Sequence, residues 1–414
     1  MPSWIRCLAL ALVSTLAMPL CWAQEWSEAQ IIEQFQALSP QAREARALVA
    51  VAQAEARART VYSNPSVSYS REGAGFTEFF QATQTLPISG HLRYLRNAGT
   101  AAVAVADANR EALLWSLRSD LRLAFYQMLA AQERVRLLTA SIGEMDRLIR
   151  VLRHREDEGE GSRYDRMRAE REAAELRTDL SGAQARVASA SAQLAGFLPE
   201  NAVVHRVTGV LLTTYDAPSP DDLVKRAFAA RADYRAAMRS LSRYQLEEEA
   251  ARRLRISEPS ITAGVKRADL TSGSPPNPFA DVTRTGWAFG ISVPLPLFNH
   301  GQYEVTRFQT EQDQARAQMA RLERQIRTEI QGARDVLTLR KEALQVYERE
   351  VQSTGSELTR ITEAAYQEGE VGILELLDSQ RINRLASLRL LDLQAGLREA
   401  FIQLDRAVGE EVHP

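Results

Sequence analysis

The sequence predicts a mainly α chain with a small β part, built from two copies of one unit in which a pair of strands feeds a very long antiparallel coiled coil. Three observations lead there. Short strings recur at an offset of 209 to 210 residues. Apolar residues recur at alternating steps of three and four over stretches far longer than an average helix, the pattern of helices packed along a coiled-coil seam. Segments with a period of two precede each of those stretches, as strands with two unlike faces require.

In chain order, residues 1–23 come first. One positive charge (Arg6), an apolar run from Cys7 to Ala17, Pro19 and a Cys21-Trp22-Ala23 ending read as a secretory signal cut before Gln24. The run covers about 11 residues, too short for a bilayer that takes about 20. The lesser readings are a retained anchor and a lipid on Cys21; against the lipid, Pro19 and Leu20 stand where small residues are usual. Cys7 and Cys21 are the two cysteines of the chain, so the exported part is expected to carry no thiol, no disulfide and no thiolate metal site. The five histidines are scattered, and no metal or cofactor is expected.

Composition narrows the partners. With 51 basic and 53 acidic side chains the formal charge is −2, which offers no field to hold nucleic acid. A chain 45% hydrophobic and 25% charged is also no bundle of membrane-spanning helices.

The repeat divides the rest into 24–209 and 210–414. Leu86-Pro87-Ile88 matches Leu295-Pro296-Leu297, and His91 matches His300, each 209 residues apart. Glu158-Gly159-Glu160 matches Glu368-Gly369-Glu370 at 210. Between these marks runs the first seam: Leu114, Leu117, Leu121, Ala124, Met128, Ala131, Val135, Leu138, Ile142, Met145, Ile149, Leu152. Its counterpart is Ile326, Ile330, Ala333, Leu337, Arg340, Leu344, Tyr347, Val351, Thr354, Leu358, Ile361, with Arg340 and Thr354 off pattern. No proline interrupts the 72 residues from Pro87 to Gly159 or the 73 from Pro296 to Gly369. Each span is expected to be one helix of about 100 Å at 1.5 Å per residue.

Such helices need partners of equal length. Each is expected to turn at its glycines (Gly159 and Gly161; Gly369 and Gly372) and to return as an antiparallel helix. The return seams are Ala169, Ala173, Leu176, Leu180, Ala183, Val187, Ala190, Leu194, Phe197 and, shifted by 210, Ser379, Asn383, Ala386, Leu390, Leu393, Leu397, Ala400, Leu404, Ala407. The many alanines let helices approach closely.

Strands precede each long helix. Trp287, Phe289, Ile291 and Val293 alternate with small or polar residues up to Pro294. Asn64 to Tyr69 and Glu258 to Ala263 open the preceding strands, and Phe76 to Leu86 closes the first pair. The second hairpin is longer and carries a polar loop, Thr271 to Pro278. Four strands cannot enclose anything, and a sheet in lipid must close to leave no unpaired edge, so several chains would have to share one barrel.

This order of elements, with the strings FGISVPLPLFNHGQ (289–302), YQEGEVGILELLDSQR (366–381) and EGEGSRYDRMRAERE (158–172), resembles the TolC family of outer-membrane factors over nearly all of the exported chain. The PLPLFN string and the GE turns look most like the CzcC branch, which serves cation efflux. The resemblance implies a homotrimer: a transmembrane β-barrel shared between three chains, set in outer-membrane lipid, and an α-barrel of antiparallel coiled coils through the periplasm. It implies tips at Gly159, Gly161, Gly369 and Gly372 that dock a periplasmic adaptor protein tied to an inner-membrane pump. It also implies a periplasmic gate of acidic side chains and a Tyr-Asp-Arg network. Counted from Gly369, the acidic positions fall on Glu375 and Asp378 and the tyrosine on Tyr366; counted from Gly159, the aspartate is Asp165. The expected arginine is Val371 here, leaving Arg163 or Arg381 as substitutes.

Glu375 and Asp378, three apart, share a helical face. Threefold symmetry would gather six such carboxylates and favour cations; as ordinary first-turn carboxylates they would only complement the helix dipole. Within the family the exit duct of a tripartite pump, of the RND type for cations or small toxic compounds, competes with the exit duct of a type I protein secretion system. A periplasmic coiled-coil scaffold is a third reading. No nucleophile elbow, phosphate loop or metal cluster points to an enzyme.

Overall fold

The computed structural model describes residues 25–72, 77–200, 202, 204–211, 218–269 and 283–412. The signal segment with both cysteines, the loop 271–278 and Phe76 lie outside those residues.

A reciprocal cap starts the helical part: the Ser27 hydroxyl accepts from the Gln30 amide while the Ser27 amide donates to the Gln30 side chain. Helix α1 (Glu28–Leu38) ends at Ser39, which caps α2 (Pro40–Ala58) with proline at its first position. The first hairpin, β2 (Ser66–Glu72) and β3 (Thr77–Thr85), then leads to α3 (His91–Asp157) and α4 (Arg163–Ala195). The second copy repeats the order: α5 (Pro220–Ala230), α6 (Ala232–Arg252), β5 (Ser260–Asp269), β6 (Thr283–Ser292), α7 (Gln302–Tyr347), α8 (Ser353–Gln367) and α9 (Ile373–Val408). A short parallel pair, β1 (Glu25–Ser27) with β4 (Arg206–Thr208), ties the start of the chain to the end of the first copy.

Helix α3 is unbroken over 67 residues, about 100 Å. Leu121, Ala124, Met128, Leu138, Met145, Ile149 and Leu152 of its expected seam are buried. Small residues set the helix spacing above: Gly99 of α3 faces Ala56 of α2 so closely that an added Cβ would lie 2.9 Å from the alanine methyl.

The second long helix departs from expectation. It is not continuous: α7 gives way at Glu348–Gln352 to a π turn before α8 begins. The offset between copies, 209 before this point and 210 after it, shows why. The second copy holds one extra residue, and a π turn accommodates an inserted residue without ending the helix. The seam is rephased there. Ile326, Ile330, Leu337 and Leu344 are buried, whereas Leu358 and Ile361 are 53% and 51% exposed. Thr359, Thr362 and Tyr366 are instead half-buried, as is Ala365; the first two stand one residue along from the expected series, and the three lie 210 from Ile149, Leu152 and Glu156.

The hairpins form one antiparallel sheet in the order β2-β3-β5-β6, in which β2 and β6 each have a single neighbour. Beneath it, Arg59 after α2 makes two 2.6 Å bonds to Glu247 of α6, whose carboxylate is buried. At the level of β1 and β4, Arg122 of α3 pairs with Glu28 at 2.6 Å and Asp405 of α9 at 2.8 Å. Burial alone would disfavour that guanidinium's charge, but the two carboxylates hold its pKa above the ordinary value.

Candidate functional site

The chain has two candidate regions at opposite ends, the helix tips and the sheet.

At the tips, both turns close in the same way. Gly159 and Gly369 each have φ +79°, left-handed backbone that residues with a Cβ adopt at a cost. The Glu160 amide donates to the Arg155 carbonyl at 2.9 Å and the Glu370 amide to the Ala365 carbonyl at 2.8 Å, the bond that seals a helix C-terminus over a left-handed residue. Gly161 serves a different need, since a Cβ there would meet the Arg155 carbonyl carbon at 2.8 Å. Gly372 is extended, and the atoms an added Cβ would meet belong to the Glu375 side chain, so backbone space does not require glycine. The Ser162 hydroxyl accepts from the Tyr164 amide and caps α4.

Tyr366 packs half-buried against a core of Leu138, Met145, Ile149, Leu152, Leu176 and Leu376, among others from α3, α4 and α9. The Arg155 guanidinium lies 5.9 Å from its ring centre. Burial first and then the Asp165 carboxylate push the Tyr366 hydroxyl above its ordinary pKa, while Arg155 pulls it back. The arginine in place at Tyr366 is thus Arg155, and Asp165 lies near enough to act on the tyrosine hydroxyl. Neither expected substitute fills that place: Arg381 bonds Asp378 at 2.8 Å on its own helix, and Arg163 is exposed. Arg155 belongs to the last turn of α3, on the other hairpin, so counting from the second turn could not find it. Its one sequence signal is a basic residue in a helix's last turn, where a cation suits the dipole.

Glu375 and Asp378 are exposed in the first turns of α9, while Ile373, Leu376 and Leu377 fill the buried side. Asp378 is charge-compensated by Arg381, so Glu375 is the less compensated of the two.

At the other end, strand register builds two unlike faces. One carries the rows Tyr69, Phe80, Val265, Trp287 and Val67, Ala82, Ala263, Phe289, then Gln84, Ile261, Ile291. Trp287, Phe289 and Ile291 are 79%, 78% and 76% exposed, and Val293, Leu295 and Leu297 continue the apolar stretch. The opposite face carries Ser66, Thr83, Thr262, Gly290 and Ser68, Gln81, Gly264, Ala288. The Thr83 and Thr262 hydroxyls bond each other across it at 2.9 Å. Among the described residues no helix is long and apolar enough to cross a membrane. No group of three or more His, Cys, Asp or Glu among them could hold a metal ion.

No protein-family model matches the sequence. The cobalt-zinc-cadmium resistance protein CzcC of Cupriavidus metallidurans is 24% identical over 328 residues, 75% of this chain and 73% of that protein. Three solved structures share the fold: CusC (TM-score 0.72, 19% identity, 92% of each chain), the outer-membrane channel OprN (0.73, 20%, 94% and 91%) and the open state of the MtrE outer-membrane channel of Neisseria gonorrhoeae (0.73, 18%, 93% and 89%). The chain has the fold of these solved structures and is similar in sequence to CzcC. The four-stranded sheet and the coiled-coil tips lie at the two ends of this fold. OprN and MtrE are themselves outer-membrane channels.

Proposed function

We propose that three copies of this chain form the outer-membrane exit duct of a tripartite efflux pump of the RND type, exporting cations or small toxic compounds. The observation that carries the reading is the sheet: an exposed apolar face, a polar opposite face and two strands with one neighbour each. In water such a face costs free energy, and in lipid an open edge would leave backbone groups unpaired, so the sheet is complete when three copies close it. Trp287, Phe289, Ile291 and Val293 then meet outer-membrane lipid, and Ser66, Ser68, Gln81 and Thr83 line the lumen.

The coiled coils extend the lumen through the periplasm, and cargo crosses without any bond being broken. The turns at Gly159, Gly161, Gly369 and Gly372 present the tips to a periplasmic adaptor, with the inner-membrane pump behind it. Asp165, Tyr366, Glu375 and Asp378 form the gate region, with Arg155 in the network role. Cation export is supported by the name of the CzcC relative, a cobalt-zinc-cadmium resistance protein. Cells lacking this chain should be inhibited by cobalt, zinc or cadmium at several-fold lower concentrations than cells that carry it. Unchanged tolerance to all three would contradict cation export.

A further inference from the structure

The polar face of the sheet is almost free of charge. Apart from Glu72 and Arg284 in the row beside the hairpin loops, the charged residue on that face among the described residues is Lys266 of β5. Its row is Ser70, Phe79, Lys266, Gly286, and its ammonium sits 5.2 Å from the centre of the Phe79 ring. A ring face attracts a cation. Phe79 therefore holds the amine against the wall, while Gly286 opposite leaves the space beside it open. The neighbour Arg267 stands on the apolar face, with Glu78 3.9 Å away.

We propose that Lys266 is the ion-selectivity residue of the barrel: three copies form a ring of ammonium groups that enriches anions and repels cations in the part of the duct lined by β strands. This rests on the duct reading above. Twelve strands spaced about 4.8 Å apart and tilted about 40° close at a Cα diameter of roughly 24 Å. Side chains from the wall then bring the ammonium groups to roughly 8 Å from the axis, within a Debye length of about 10 Å at 0.1 M salt. With that screening, three unit charges there change the local concentration of a monovalent ion about threefold even at the dielectric constant of water. Glu72 and Arg284 carry opposite charges and cancel in the net field of the mouth. The barrel and the tips thus act in opposite senses, with carboxylates at the periplasmic entrance and amines near the exit.

The test is the chloride-to-potassium permeability ratio from reversal potentials across a tenfold KCl gradient in planar bilayers. The full-length trimer carries Glu375→Ala and Asp378→Ala so that tip carboxylates do not dominate. Adding Lys266→Gln should lower the ratio by about twofold, and Lys266→Glu should lower it further, whereas Arg267→Gln, on the other face, should leave it unchanged. Channels whose ratio is unmoved by both Lys266 variants would overturn the ring and leave the duct standing. Absence of conductance from the unaltered chain would overturn the duct and the ring together.

Discussion

The two long helices started from one pattern and ended differently. Helix α3 runs 67 residues without a break and buries Ile149 and Leu152 near its tip. Its counterpart breaks into α7 and α8 around a five-residue π turn and presents Thr359 and Thr362 at the matching positions. The π turn absorbs the inserted residue, so beyond it the positions 210 along keep the inward facing and those 209 along stand about 100° away from it. Leu358 and Ile361 are carried off the face that meets α9 and onto the outside. The first copy therefore buries these positions within the chain, and the second leaves Leu358 and Ile361 exposed.

The largest effect that would sharpen this contrast comes from truncating one leucine in each copy. Leu176 of α4 is buried in the first tip, and Leu176→Ala should cost about 2–5 kcal/mol in urea unfolding of the solubilised monomer. Leu358→Ala should change the same quantity by less than about 0.5 kcal/mol, as an exposed position does, but should lower the urea concentration at which the oligomer separates. Equal costs in the monomer would break the contrast.

A smaller gain is expected from making the second copy like the first. Thr359→Ile with Thr362→Leu should stabilise α8 by roughly 1 kcal/mol per site through added apolar burial, and should slow amide exchange across 353–367. Exchange that stays as fast would mean that the π turn, and not the poverty of the seam, sets the exchange rate of that helix.

The smallest effect concerns Tyr366. Burial and Asp165 raise its pKa above 10.0, so the fold favours the neutral phenol. That contribution is complete below pH 10 and is lost as pH rises through the raised value. Arg155→Gln removes the charge that opposes the shift. The Tyr366 ionisation, isolated as the difference from Tyr366→Phe in ultraviolet titration, should then move to higher pH. Movement to lower pH would place Arg155 elsewhere.

Much of this architecture was legible in the residues. The 209-residue offset, the uninterrupted apolar series in the first copy and the period of two around Trp287 each reflect a local rule of helix or strand geometry, and the structure keeps them. The π turn left its mark as the change of offset from 209 to 210, but the expected seam stepped smoothly through Val351, Leu358 and Ile361 and gave no sign of a break. Periodicity registers which residues are apolar, not which are covered, and here Leu358 and Ile361 are left exposed. Arg155 escaped for a related reason. A network that spans two hairpins cannot be found by counting along one of them, and Val371 at the expected position pointed only to an absence. Lys266 was visible as one of three lysines, yet its face became known only with the register of β5 against β3.

The central claim is that three copies share one barrel in the outer membrane. Its most direct test is the mass of the detergent-extracted protein from a purified outer-membrane fraction, by light scattering corrected for bound detergent. The account predicts three protomers per particle in that fraction. A monomer or dimer recovered in the soluble periplasmic fraction, with none in the membrane, would contradict it and return the chain to the coiled-coil scaffold reading.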